Sequence, residues 1–165
     1  MIVVSNSSPL IALARVGWLN LLASLFQRIL IPPEVHHEVT VAGSGLPGAD
    51  EVSKAGWIEV APGRPPANPS LDRACEGLGA GERGAILLAR SLPADLILLD
   101  ESKARRVARE AGLPTMGCLG VLEAGARKGL VLDLRPVYID LLRQGVRFDI
   151  RLLQDSLTRL GLPKL

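Results

Sequence analysis

Ile2-Val3-Val4-Ser5-Asn6-Ser7-Ser8-Pro9 carries the decisive pattern: an apolar, β-branched run over residues 2–5 breaks off at a polar residue, two hydroxyl side chains and a proline. β-Branched residues favour the extended chain, whereas Asn, Ser and a first-turn proline favour a helix start. The stretch therefore reads as strand, short loop, helix. The same grammar recurs at Leu96-Ile97-Leu98-Leu99-Asp100, a continuous apolar strand followed by a basic amphipathic helix over residues 102–111. An apolar run without polar alternation belongs to a parallel sheet covered on both faces.

Working outward, Leu10, Ile11, Leu13 and Ala14 continue the first helix, Gly17 interrupts it, and Trp18, Leu19, Leu21, Leu22 and Leu25 resume an apolar face, which predicts two short helices. Residues 28–31 form a second apolar run, and Pro32-Pro33 starts a helix carrying Glu34, Val35, Glu38 and Val39. Glycines between 42 and 48, a short helix through Val52, a brief strand over 57–60 and the loop Pro62-Gly63-Arg64-Pro65-Pro66 come next. Gly79-Ala80-Gly81-Glu82 then leads into a nearly all-apolar helix, Thr115-Met116-Gly117 is a short strand, and helices are predicted over 119–127, 137–144 and 150–160. Strands alternating with helices give an α/β fold, a three-layer sandwich around a central, mainly parallel sheet of four or five strands. Residues 1–145 hold this domain, and 146–165 supply a C-terminal helix packed on it.

The 165 residues, 48% of them hydrophobic and 22% charged, suffice for one substantial core. A formal charge of +2 excludes identifying a nucleic-acid binder from net charge, so any basic patch is local. Cys75 and Cys118 stand far apart without metal-ligand spacing and read as buried free thiols. Residues after Met1 show no basic leader, and no apolar segment approaches the roughly 18 residues of a membrane span. The expected location is the cytoplasm, with no membrane contact.

In a parallel α/β sheet the ligand site lies beyond the carboxyl ends of the strands. Asn6, Asp100 and residues 115–117 occupy such positions, and the helix-borne acids Glu38 and Glu82 can reach the same crevice. Oxygen ligands without His or Cys suit a hard cation, Mg²⁺ or Mn²⁺, which needs only one or two carboxylates. Each residue also has an ordinary structural role: Asn6 and Asp100 as helix caps, and Glu82 as an acid favoured at a helix N-terminus. Lys103, Arg105, Arg106 and Arg109 follow Asp100 on one helix, either to attract a phosphate backbone or as a solvated face. His36-His37 is not a zinc pair, because adjacent helical side chains point apart.

The strings Val4-Ser5-Asn6-Ser7-Ser8-Pro9-Leu10-Ile11-Ala12-Leu13-Ala14, Gly79-Ala80-Gly81-Glu82-Arg83-Gly84-Ala85-Ile86 and Leu98-Leu99-Asp100-Glu101-Ser102-Lys103-Ala104-Arg105-Arg106-Val107-Ala108 resemble the PIN domain. Gly117-Cys118-Leu119-Gly120-Val121-Leu122 and Gly129-Leu130 are similar to its DUF3368 branch, and the likeness runs from about residue 2 to about residue 145. It implies a metal-dependent ribonuclease of the VapC-toxin type acting on RNA, with a dimeric state and an antitoxin protein as expected partners. Carried over by position, Glu82, Asp100 and Glu38 become the catalytic acids, Asn6, Glu82 and Asp100 the metal ligands, and Lys103, Arg105 and Arg106 the RNA contacts.

Asn6 departs from the family's usual Asp. An amide oxygen can ligate Mg²⁺ but adds no charge and cannot serve as a base. Weak activity, a preference for Mn²⁺ and inactivity all follow as alternatives. A binding module that keeps fold and crevice but little catalysis is the competing function. A phosphoryl-transfer receiver or phosphatase is disfavoured, because it needs an acidic nucleophile where Asn6 and Ser7 stand.

Overall fold

Successive side chains of a strand point to opposite faces, so a strand that is apolar at every position serves two cores. In the computed structural model, which describes residues 1–62 and 64–165, Val3, Leu96 and Leu98 join one hydrophobic cluster, and Val4, Ile97 and Leu99 join the other. The sheet is the middle layer between them.

Its strands are β1 (Val3–Ser5), β2 (Ile29–Ile31), β3 (Ile58–Val60), β4 (Leu96–Leu98) and β5 (Thr115–Met116). They pair in the order β3-β2-β1-β4-β5, all parallel. The crossovers that parallel pairing requires are helical. Helices α1 (Ser7–Arg15) and α2 (Leu21–Phe26) lead from β1 to β2. The helix expected after Pro32-Pro33 is divided into α3 (Pro33–His36) and a π-helical turn (His37–Ala42), and the short helix expected through Val52 is α4 (Ala49–Lys54), which leads to β3. Helices α5 (Pro69–Ala74) and α6 (Ala80–Ser91) lead to β4, and α7 (Ser102–Glu110) to β5; α8 (Cys118–Arg127), α9 (Leu134–Arg143) and α10 (Ile150–Arg159) follow. The loop expected over 62–66 includes Gly63, which lies outside the described residues.

Two further elements differ from the sequence expectation. α5 was not anticipated, although its start is written in Asn68-Pro69: the Asn68 side chain accepts a hydrogen bond from the Leu71 N–H at 3.2 Å, and Leu71 is buried. α9 begins at Leu134 rather than 137, because the Asp133 carboxylate caps it through the Arg135 N–H at 2.9 Å.

Leu153 and Leu157 of α10 sit in the same cluster as Val121, Leu122 and Leu141 of α8 and α9. Between α9 and α10 the buried Tyr138 and Ser156 hydroxyls share a hydrogen bond of 2.6 Å. Removing one partner would leave the other buried and unpaired, at a cost of roughly 1–3 kcal/mol. Among the described residues no helix is long and apolar enough to cross a membrane.

The chain steps from β1 to β2 and β3 on one side, then returns to place β4 and β5 on the other. The order therefore reverses between β1 and β4, where a doubly wound sheet opens a crevice at its carboxyl edge.

Candidate metal centre and crevice

Ser5 pairs with Leu98 across β1 and β4, and the Asn6 N–H donates to the Leu98 carbonyl at 3.0 Å. Asn6 and Asp100 consequently leave adjacent strands at the same edge. Asn6 is only 3% exposed, and its Oδ1 is buried without a hydrogen-bond partner. It stands at the N-cap position of α1, but its side chain makes no capping bond. A buried, unpaired carbonyl oxygen costs free energy unless something else satisfies it.

Asp100 is held differently. Its Oδ1 accepts a 2.6 Å hydrogen bond from the Cys118 N–H, and the Arg105 guanidinium donates to the Asp100 main-chain carbonyl at 2.5 Å. Burial raises its carboxyl above the ordinary value, while the Cys118 N–H and the Arg105 charge act in the opposite sense. The cap of α7 falls to Glu101 instead, whose two oxygens accept from the Lys103 and Ala104 N–H groups at 3.0 and 2.7 Å. This corrects the capping role read for Asp100: with its neighbour serving the helix, Asp100 faces the crevice. A Cβ at Gly117 would come within 2.9 Å of its Oδ1, so the backbone approach there needs a glycine or a displaced carboxylate.

Glu38 lies in the π-helical turn, a distortion that re-aims side chains. The Ser7 hydroxyl donates to its Oε2 at 2.5 Å, and the Gly81 N–H donates to its Oε1 at 2.8 Å. A Cβ at Gly81 would overlap that carboxylate. Glu82, one residue on, has its carboxyl raised by burial first, then by Glu101 and Glu38; the Gly79 N–H and Lys103 oppose the shift. The helix-terminal role read for Glu82 is thus present. Its carboxylate neighbours are Glu101 and Glu38, and Asp100 does not figure among the charges acting on it.

Among the described residues no three His, Cys, Asp or Glu side chains gather into a metal cage. The fit to a hard cation rests on the donor chemistry: the orphaned Asn6 Oδ1, Asp100 on the adjacent strand end, and Glu38 and Glu82 held near Ser7 and Gly81, all oxygen, although neither glutamate lines the space that Asp100 lines. Mg²⁺-like ions are compatible with so few carboxylates because they keep much of their water. Cys75 and Cys118 are free and buried, and burial pushes both thiols up, away from reactive thiolate.

Of the three basic residues read as RNA contacts, only Arg105 lines the crevice, a space of about 800 Å³ that also holds Asp100, Glu101, Arg109 and Thr115. Glu101, Arg105 and Arg109 recur every four residues and share one helix face. Lys103 turns toward Gly77 and Glu82 instead. Arg106 is exposed on α7 and does not line this space. Arg15 and Arg147 line it and were missed in the sequence; Arg15 ends α1 four residues after Ile11 of the same wall, but no local pattern marks Arg147.

No match was found among curated proteins. A family model for DUF3368, described as a PIN domain, matches residues 2–162. PIN domains generally use divalent metals, and the family suggests a nuclease-type function. The match spans nearly the whole chain, including α10, and the all-parallel sheet between two helical layers is the architecture expected of it. The chain therefore belongs to the DUF3368 family of PIN domains.

Proposed function

We propose that this protein is a metal-dependent endoribonuclease of the toxin-antitoxin type, hydrolysing phosphodiester bonds of single-stranded RNA. The observation that carries the reading is the buried, unpartnered Asn6 Oδ1 beside Asp100 at the strand-order reversal. Asn6, Asp100 and Glu82 would hold Mg²⁺ or Mn²⁺. Such an ion polarises a phosphodiester and lowers the pKa of water. Glu38, oriented by Ser7 Oγ and the Gly81 N–H, and Glu82 can accept a proton at a carboxylate oxygen. Arg105 fixes the backbone of Asp100 and brings positive charge to the crevice.

A second reading, a catalytically weakened module that binds RNA or an antitoxin-like protein, is favoured by Asn6 itself, which adds no charge to the set. In either reading the protein works in the cytoplasm, where free thiols persist. A second copy of the chain would find an apolar face around Trp18, Leu130 and Leu132, the last 92% exposed.

The test is cleavage of a labelled single-stranded RNA in Mg²⁺, Mn²⁺ or chelator by the unmodified protein, Asn6→Asp and Asp100→Asn, with folding checked by circular dichroism. The expected result is feeble, metal-dependent cleavage that Asn6→Asp strengthens and Asp100→Asn abolishes. Equal inertness of the unmodified protein and Asn6→Asp in every metal, together with tight RNA or partner binding, replaces the nuclease with the binding module. Cleavage that survives both chelator and Asp100→Asn refutes the assigned site.

A further inference from the structure

Four arginines from three segments of the chain meet in the crevice: Arg15 at the end of α1, Arg105 and Arg109 on α7, and Arg147 in the connection between α9 and α10. Other arginines also lack a carboxylate partner; what sets these four apart is that they share one concavity. Arg28, Arg83, Arg127, Arg151 and Arg159 each form an ion pair with a carboxylate. None of the crevice four does so among the described residues. Arg15 donates to the Gln144 carbonyl at 3.4 Å, Arg105 to the carbonyls of Leu99 and Asp100, and Arg109 to the Thr115 hydroxyl at 2.9 Å. These neutral acceptors orient three of the guanidinium groups without cancelling their charge.

Besides Asp100, two acids on the same walls are engaged by other partners. Glu101 caps α7 with both oxygens, and Asp149 caps α10 while pairing with Arg151 at 3.0 Å, contacts that hold its carboxyl below the usual range. Four arginines stand against Asp100, Glu101 and Asp149, the last already paired with Arg151, so positive charge is in excess along a concavity that leads to Asp100. Phe148, one of two phenylalanines in the chain, lies beside Arg147 in the same wall and is partly buried.

We infer that this crevice is the track for the substrate strand: Arg15, Arg109 and Arg147 hold successive phosphates of single-stranded RNA, and the 145–149 connection is one wall of the site. The inference rests on the nuclease reading for its choice of RNA. The physical requirement is general, since a polyanion is held by guanidinium groups that no protein carboxylate has already neutralised. Phe148 supplies an aromatic surface on which a base can stack, a sequence-tolerant contact suited to a single strand. The α9–α10 segment is thereby a substrate-binding element as well as packing.

The experiment is fluorescence anisotropy of a labelled single-stranded oligoribonucleotide with the full chain in chelator, titrated at several salt concentrations. Chelator removes cleavage, so binding is read independently of catalysis. Arg147→Ala and Arg109→Ala are each expected to weaken binding about threefold to tenfold and to reduce the slope of log K against log salt by about 0.7, the contribution of one phosphate contact on a single strand. Arg90→Ala, exposed in the last turn of α6, is expected to leave both unchanged. The inference is overturned if Arg106→Ala weakens binding more than Arg147→Ala, or if polyglutamate of matched charge displaces the RNA at equal concentration, which would mark a site for an acidic protein. Arginine-dependent binding with no cleavage in any metal keeps the track and removes the nuclease. Metal-dependent cleavage indifferent to Arg109→Ala and Arg147→Ala keeps the nuclease and removes the track.

Discussion

At Asp100 a carboxylate is drawn toward the end of the sheet, where burial disfavours its charge and the Cys118 N–H and Arg105 restore part of the loss. Glu82 in the first turn of α6 and Glu38, whose carboxylate reaches that turn from the π-helical turn, are held instead by the Gly79 and Gly81 N–H groups, and the raised carboxyl of Glu82 owes part of its shift to other acids. One edge of one sheet thus sets carboxylates in two environments, one governed by desolvation and the other also by like charge. The difference teaches that both sides respond to changes in burial, and that the glutamate side responds to like charge in its neighbours as well.

The largest contrast is catalytic. Asp100→Asn keeps the shape and the acceptor for Cys118 but removes the charge, and RNA cleavage is expected to fall at least about 100-fold. Gln at Glu82 is expected to cost less, because Glu38 and Glu101 leave negative charge on that side; equal losses in a steady-state assay would erase the comparison.

Asn6→Asp comes next. It places a second charge in the buried side of the edge, so in chelator it should lower stability by about 2 kcal/mol, read from urea unfolding, and saturating Mn²⁺ should recover the loss. A variant as stable as the unmodified protein in chelator would contradict the desolvated character of this side.

Glycine substitutions separate the two cradles. Ala at Gly81 displaces the Glu38 carboxylate and is expected to reduce activity about tenfold. Stability should barely change, since the same substitution gains up to about 1 kcal/mol of helix propensity. Gly117→Ala crowds Asp100 from outside any helix, with no such compensation, so activity and melting temperature should fall together.

The smallest effect is on pH dependence. The carboxyls of Asp100 and Glu82 are raised in the folded protein, so their contribution to stability is complete below their unfolded values and is lost as pH rises through the folded ones. In chelator, the melting temperature should therefore gain about a degree or two as pH falls from neutral toward the carboxylate range. Asp100→Asn should flatten that gain. Carboxyl NMR sharpens the point: Glu101→Gln should bring the Glu82 titration back toward its ordinary value and leave that of Asp100 in place.

Much of the fold was legible because its signals are local. Residues 2–4 and 96–99 are apolar at every position, as a doubly covered strand requires, and Asn6-Ser7-Ser8-Pro9 marks a helix start without reference to anything distant. α5 escaped despite Asn68-Pro69, because its six residues bury little beyond Leu71 and offer no periodicity. The helix division around Glu38 escaped as well, since a π-helical turn has no distinct pattern of side chains.

The candidate site was legible by position and less so by contact. Asn6, Glu38, Glu82 and Asp100 all lie at the edge where strand ends and helix starts put them, but a linear sequence does not say which carboxylates repel each other. Glu101 rather than Asp100 capping α7 turned on one residue of register, and Arg105 lines the crevice while Arg106 does not, because neighbours on a helix diverge by about 100°.

What the sequence determined alone was the alternation of buried strands and helices and the chemistry available after each strand, because backbone preference and hydrophobic period act over a few residues. Tertiary structure decided the rest. The reversal of strand order between β1 and β4 sets Asn6 beside Asp100, though 94 positions separate them in the chain. Folding α9 and α10 back over α8 brings Arg147 to the crevice that Arg109 also lines. Both outcomes depend on burying apolar faces that can be satisfied only by distant parts of the chain, and no local propensity encodes that choice.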